Sequence, residues 1–342
     1  TDSLTENLTF VPTYTNGTVL NQGYLINGTQ SSVSMGLGAF NLSGGTFQST
    51  VELTGANAQL AGLRQINSFG VISGTSSIEF AGNPTLGYSL YNDGSDRRLF
   101  NNLAGTAVLT FSSQPVLLSE TATTSRAFTI AGTGNTVISS VISNGSAQTT
   151  GIGGGLNYFG SGTLALTAQN TFGGSLTLGG GTTTLSGAGS LAAGNVATAT
   201  ATAGTNTLNV TIATPGVSAG FYISGAGITG AGLGTGTFVS GITSATVLTI
   251  PQQVTTTSTS YTLLGVVNAF GGATLALDNS VANVASRLAN RQIFLSGANL
   301  SLTGNGSAAT TEGTLASAGA LTLGSGQSVI TLTSNGYANT LN

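Results

Sequence analysis

No cysteine, histidine, tryptophan or lysine occurs in this chain, and charged residues make up only 4% of its 342 positions. An ordinary globular domain carries roughly 25%. Each absence removes a class of chemistry. Without Cys or His there is no thiolate or imidazole zinc site and no Ser-His-Asp or Cys-His nucleophile system. Without Lys there is no Schiff base, no P-loop lysine and no lysine–asparagine cross-link. The six basic residues are Arg64, Arg97, Arg98, Arg126, Arg287 and Arg291, in a chain of net charge −3. Such scattered guanidinium groups do not make the continuous basic track that a phosphate backbone requires, which argues against a nucleic-acid partner. No apolar run approaches the roughly 18 residues of a membrane-spanning helix. No signal peptide precedes "TDSLTENLTF" and the first residue is Thr1, so the sequence reads as a processed mature chain or an excised segment.

What is present is apolar and neutral-polar. Hydrophobic residues account for 39% of the chain and the mean hydropathy is +0.30, too apolar for a solvated disordered tail. Apolar side chains recur with period two in short bursts: "TLALT" (Leu164, Leu166), "SLTLG" (Leu176, Leu178), "ATLAL" (Leu275, Leu277), "NLSLT" (Leu300, Leu302), "ALTLG" (Leu321, Leu323) and "SVITL" (Val329, Ile330, Leu332). Alternation of this kind marks strands with one buried face. Gly and Asn clusters end the bursts, as at Gly44–Gly45, Asn144–Gly145, Gly179–Gly181, Gly271–Gly272 and Asn305–Gly306, and such residues supply the positive φ of tight corners. The one stretch with helical potential is 280–294, "SVANVASRLANRQIF".

Short strands with Gly/Asn corners fit a sandwich, a closed barrel or a parallel β-solenoid. Two features favour the solenoid. The bursts resemble one another, as stacked repeats do, and the charges that would protect a free sheet edge are missing. In a solenoid each rung pairs with the next, so edges remain only at the two ends.

The run over 126–196, with "GSGTLALTAQNTFGGS" followed by "GGGTTTLSG", resembles the autotransporter-associated β-strand repeat, with Tyr158 where that repeat usually has lysine. Residues 270–333 resemble a further block found in the same large secreted bacterial proteins, and 40–118 does so loosely. The resemblance implies a right-handed parallel β-helix displayed outside the cell; the family's usual C-terminal membrane barrel has no counterpart here.

The expected organisation is therefore all-β, in four parts. Residues 1–30 lack the Gly-pair corners and form a non-repeat segment, a candidate strand for exchange with a neighbour. Residues 31–196 are the first part of the solenoid. Residues 197–265, with Pro215, Pro251 and the paired aromatics Phe221 and Tyr222, form an inserted antiparallel β module. Residues 266–342 continue the solenoid. About 240 repeat residues would make roughly ten to twelve rungs of about 20–25 residues, on the order of 50–60 Å at about 4.8 Å per rung.

Parallel β-helices also carry glycan-cleaving enzymes, which need two carboxylates about 5–10 Å apart. The close acidic pair is Asp93 and Asp96 in "YNDGSDRRLF". The favoured reading is an Asp-Gly turn whose carboxylates pair locally with Arg97 and Arg98; an acid–base or calcium cluster is the sharper alternative. Asp278 and Glu312 could meet across rungs. Glycine pairs followed by Thr, Ser or Ala rather than Asp exclude a multi-site calcium roll. Most of the aromatics sit in apolar bursts such as "GTFQSTVEL" and "RAFTIAG" and read as core, whereas Tyr14, Tyr24, Tyr88, Tyr91 and Tyr158 have polar neighbours suited to stacking on sugars. Asn7, Asn16 and Asn27 each open a glycosylation sequon, which an Asn/Thr-rich chain produces by chance.

No catalytic, cofactor-binding or metal-binding residue is assigned, and no enzyme activity is expected. The expectation is an extracellular structural subunit on a bacterial cell surface that self-assembles head to tail, by strand addition, into a filament, sheath or layer. Its principal partner would be itself. The alternative is an adhesin-like passenger presenting the 197–265 module to glycans or surfaces.

Overall fold

Every alternating burst named above is a strand, and the strands stack in parallel. The computed structural model describes residues 17–66, 69–120, 125–145, 154–194, 196–210, 220–228, 236–244, 247–289, 291–312 and 321–341. Three parallel sheets of ten, eight and six strands run along the molecule. Successive neighbours in each sheet come from successive passes of the chain, which makes the architecture a β-solenoid. The ten-stranded sheet, from Tyr24–Asn27 to Leu321–Leu323, has one strand per level and so marks about nine turns. This is fewer than the ten to twelve expected. Thr182 lies over Thr163, but Ala131 lies over Phe100, so apart from the turn that holds the insertion a turn takes between 19 and 31 residues. The only helical element among the described residues is a single 3-10 turn, Gly55–Asn57.

The interior is built from in-register columns. Phe80 and Phe111 are in register and stack with centroids 6.0 Å apart, while Phe40, from the six-stranded sheet, stacks on Phe80 at 6.2 Å and meets Phe47 edge-on at 5.1 Å. Farther along, Leu275 and Leu277 sit in register with Leu300 and Leu302, all fully buried. Each buried Leu or Phe removes apolar surface worth about 1.5–3 kcal/mol from water, and the parallel ladders satisfy the backbone between levels. Cohesion thus comes from apolar columns and main-chain hydrogen bonds rather than ion pairs. Glycine is demanded at particular corners: Gly132 has φ +101°, and a β-carbon there would lie 2.2 Å from the Asn101 carbonyl oxygen.

Pairing begins before residue 30. Thr18–Leu20 pairs with Phe40–Leu42 and Tyr24–Asn27 with Thr46–Ser49, so residues 18–27 are the first turn of this chain's own solenoid. The candidate exchanged strand narrows to residues 1–16, which lie outside the described residues.

The six-stranded sheet stops at Ile142–Ser143. Beyond it the third side continues as a bridge between Gln169 and Ser190 and a short parallel pair, Thr310–Glu312 with Asn339–Leu341. The helical potential of 280–294 is not realised among its described residues, where the chain runs through turns before entering the strand Ile293–Ser296. The apolar spacing that suggested a helix instead places Leu288 in the core and leaves Val281 outside.

Leu176 pairs directly with Val267, 91 positions on. The residues between them include a seven-stranded antiparallel sheet, Val196–Ala201 to Ser258–Leu264, around its own apolar cluster that includes Leu208, Phe221, Leu248 and Tyr261. This sheet rests on the outer side of the ten-stranded sheet. Tyr222 and Phe238 pack on Phe294 at 4.5 and 5.4 Å, and Ser175 Oγ donates to the Gly220 carbonyl at 2.8 Å.

Candidate functional site

Charge is concentrated at one corner of the solenoid, between the six-stranded and ten-stranded sheets. Arg64 and Tyr91 point outward from adjacent strands in register, and the guanidinium lies 5.5 Å from the Tyr91 ring centroid. Tyr91 in turn faces Tyr88 at 5.0 Å. Burial raises both phenols above their usual range; Arg64 opposes this at each, and Asp93 adds to it.

The acidic pair divides its work. Asp93 forms an ion pair with Arg64 one turn below, and its backbone carbonyl accepts from Arg97 Nε at 2.8 Å. Asp96 accepts the Ala127 N–H of the next turn at 2.7 Å. The expected local pairing of both carboxylates with Arg97 and Arg98 is therefore corrected: the partners come from the neighbouring levels. A second ion pair joins Glu120 to Arg126, with oxygen–nitrogen distances of 2.6 and 3.2 Å. The Arg126 hydrogen bonds hold the Glu120 carboxyl below its usual range, and Glu120 in turn raises Arg126. Each acidic side chain of the corner is held by a guanidinium or a backbone N–H. Among the described residues, no three Asp or Glu side chains converge as metal ligands would.

Asp278 and Glu312 have separate partners as well. Asp278 Oδ1 accepts the Ser280 N–H at 2.9 Å, while Glu312 is fully buried and accepts the N–H groups of Arg287 and Leu288 at 2.7 and 2.8 Å. Burial pushes the Glu312 carboxyl up despite those bonds.

Of the five tyrosines with polar neighbours, the four among the described residues do not share a surface. Tyr14 lies outside the described residues. Tyr24 is exposed on the first turn, and Tyr88 and Tyr91 belong to the charged corner. Tyr158 is interior, its hydroxyl finds no partner among the described residues, and burial pushes its phenol up to about 12. Phe47 and Phe128, from the two apolar bursts read as core, are fully buried. Of the sequon asparagines, Asn7 and Asn16 lie outside the described residues. Asn27 is buried, with its amide donating to the Thr29 carbonyl at 2.9 Å.

Three features escaped the sequence. Arg287 is fully buried, donating to Asn279 Oδ1 and to the carbonyls of Gly187, Gly189, Asp278 and Ala282. Arg291 is equally enclosed, stacks 5.2 Å from the Phe172 centroid, and binds the carbonyls of Phe172, Gly174 and Ala192. Two arginines inside the apolar run "SRLANRQIF" were the available signal, because a chain this poor in charge has no surface pattern to explain them. The third feature is the final turn. Leu321 and Leu323 continue the buried column positions of Ile293 and Leu295, and Ile330 and Leu332 continue those of Leu300 and Leu302. Yet Leu323 is 58% exposed and Leu332 48%.

No family model matches this chain, and no curated protein or solved structure is detectably similar to it.

Proposed function

We propose that this protein is a non-enzymatic, extracellular β-solenoid subunit that stacks head to tail into a surface filament, sheath or layer. The observation that supports the reading most directly is the final turn. All five residues of Val329–Thr333 are exposed, and the strand carries Ile330 and Leu332 on what would be its interior side. An open parallel edge above a naked apolar column is complementary to another turn of the same kind. A second copy offers one at its first turn, where Leu20 and Leu25 are only partly buried against the core. Such a heterologous contact propagates into an open polymer. Kinship with the autotransporter-associated repeat, and with it the bacterial surface location, belongs to the same proposal.

The adhesin-like passenger reading draws on a different observation, the self-contained core of the antiparallel module. Sedimentation separates the two. Stacking predicts concentration-dependent association that the double substitution Leu323→Arg with Leu332→Arg abolishes, both sites being exposed and tolerant of charge. A monomer at every concentration, with or without the substitutions, would leave the passenger reading.

A further inference from the structure

The outer side of the ten-stranded sheet carries two adjacent columns that the stacking proposal does not use. In the first, Phe69 lies in register with Arg98 and then Thr129 and Asn157. In the second, Val71, Phe100 and Ala131 are in register, and Phe159 follows one level on. Phe69 is 45% exposed and Phe159 44%. The Phe69 and Phe100 rings meet edge-to-face at 6.3 Å. Beside them Gln48, Ser73 and Asn102 form an outward polar row, with Gln48 Nε2 bonded to Ser73 Oγ at 2.8 Å. Arg98 is exposed and forms no ion pair among the described residues. Of its neighbours, Arg97 is directed to the Asp93 carbonyl and Asp96 accepts the Ala127 N–H rather than a guanidinium.

Levels are about 4.8 Å apart, so Phe100 and Phe159 stand roughly 10 Å apart along the stack. A pyranose presents an apolar C–H face to an aromatic ring and a rim of hydroxyls to amides and hydroxyls alongside. A uronic acid adds a carboxylate, for which an exposed guanidinium is the matching donor. A second copy laid on the same face would bring its own unpaired Arg98 against this one, in a chain with few carboxylates to meet it. Farther along, the same side of the sheet is covered by the antiparallel module through Phe294; on the arginine-bearing stretch Phe69, Arg98 and Phe159 are exposed, while Thr129 beside Arg98 is buried.

We propose that this face binds an acidic polysaccharide, with sugar rings lying along Phe69, Phe100 and Phe159 and a uronate carboxylate on Arg98. The inference does not depend on end-to-end stacking. The test is calorimetric titration of the full chain with hexagalacturonate, hyaluronan hexasaccharide and cellohexaose. Binding of at least one acidic probe is expected. It should weaken about tenfold or more with Arg98→Gln or Phe69→Ala, the scale of one charge-assisted bond, without a change in thermal midpoint. Cellohexaose should bind at least about tenfold more weakly than the acidic probe. Silence with both acidic probes, equal binding of cellohexaose, or indifference to Arg98→Gln would each overturn it. So would a change in sedimentation of Phe69→Ala that reveals this face as a self-contact.

Discussion

Arg291 shows what one residue does in a chain nearly free of charge. Its guanidinium ties the carbonyls of Phe172 and Gly174, on one turn, to Ala192, where the chain departs for the antiparallel module. It thereby closes the corner that the 91-position excursion opens. Burial lowers its pKa, while the carbonyl dipoles around it favour the cation. Replacing it with Leu would orphan those carbonyls. The expected cost, read from chemical denaturation, is at least about 1–3 kcal/mol, the scale of buried acceptors left unsatisfied; a loss below about 1 kcal/mol would show that the corner closes without it. Tyr158 makes the opposite case. Its phenol titrates near 10 when unfolded and near 12 when folded. The folded state therefore holds the proton more tightly, so the stability linked to it is intact below pH 10 and lost as pH rises from about 10 to about 12. Tyr158→Phe should be neutral or stabilising at pH 7, because it removes a buried hydroxyl without a partner. It should also flatten that alkaline decline in thermal melts. An unchanged alkaline profile would place the titration elsewhere.

At the scale of elements, strand positions were legible because a pleated strand has period two and most inward positions of the solenoid are apolar. Each of the bursts from "TLALT" to "SVITL" is a strand. Corner glycines were legible in part: Gly44, Gly181, Gly271 and Gly272 have the expected positive φ, whereas Gly145 and Gly306 do not. The 280–294 segment was not legible. Its apolar residues fit a helical spacing, and nothing local announces that Arg287 and Arg291 reach carbonyls about a hundred positions earlier. Likewise, the outward position of Phe294 is taken by Thr or Asn in aligned strands, as at Thr177 and Asn268, and the reason for the exception is a distant module. Phe294→Thr should restore the polar ladder and leave the solenoid's melting unchanged. It should raise amide hydrogen exchange across Tyr222–Ser224 and Gly236–Phe238. Unaltered exchange in those strands would mean that Phe294 does not hold the module down.

For the whole molecule, the solenoid explains how a chain with so little charge stays ordered: each turn pairs with the next through about nine turns, and the interior columns are mainly apolar, with Thr136 and Thr183 buried among the leucines of the eight-stranded sheet. The turn count fell short of the sequence-based estimate because corners swell to 31-residue turns, a property of loops that strand periodicity does not encode. The charged corner was only half legible. Its residues are clustered in "YNDGSDRRLF", but their true partners, Arg64 and the Ala127 N–H, lie a full turn away. Continuity of the columns is also what makes the final turn consequential, because Leu323 and Leu332, which continue them, are exposed. Electron microscopy of the purified chain at rising concentration tests the resulting claim most directly. End-to-end stacking predicts rods that lengthen with concentration and show an axial repeat on the order of 45–50 Å, the height of ten levels at about 4.8 Å. Isolated particles of a single subunit's length at every concentration would contradict it.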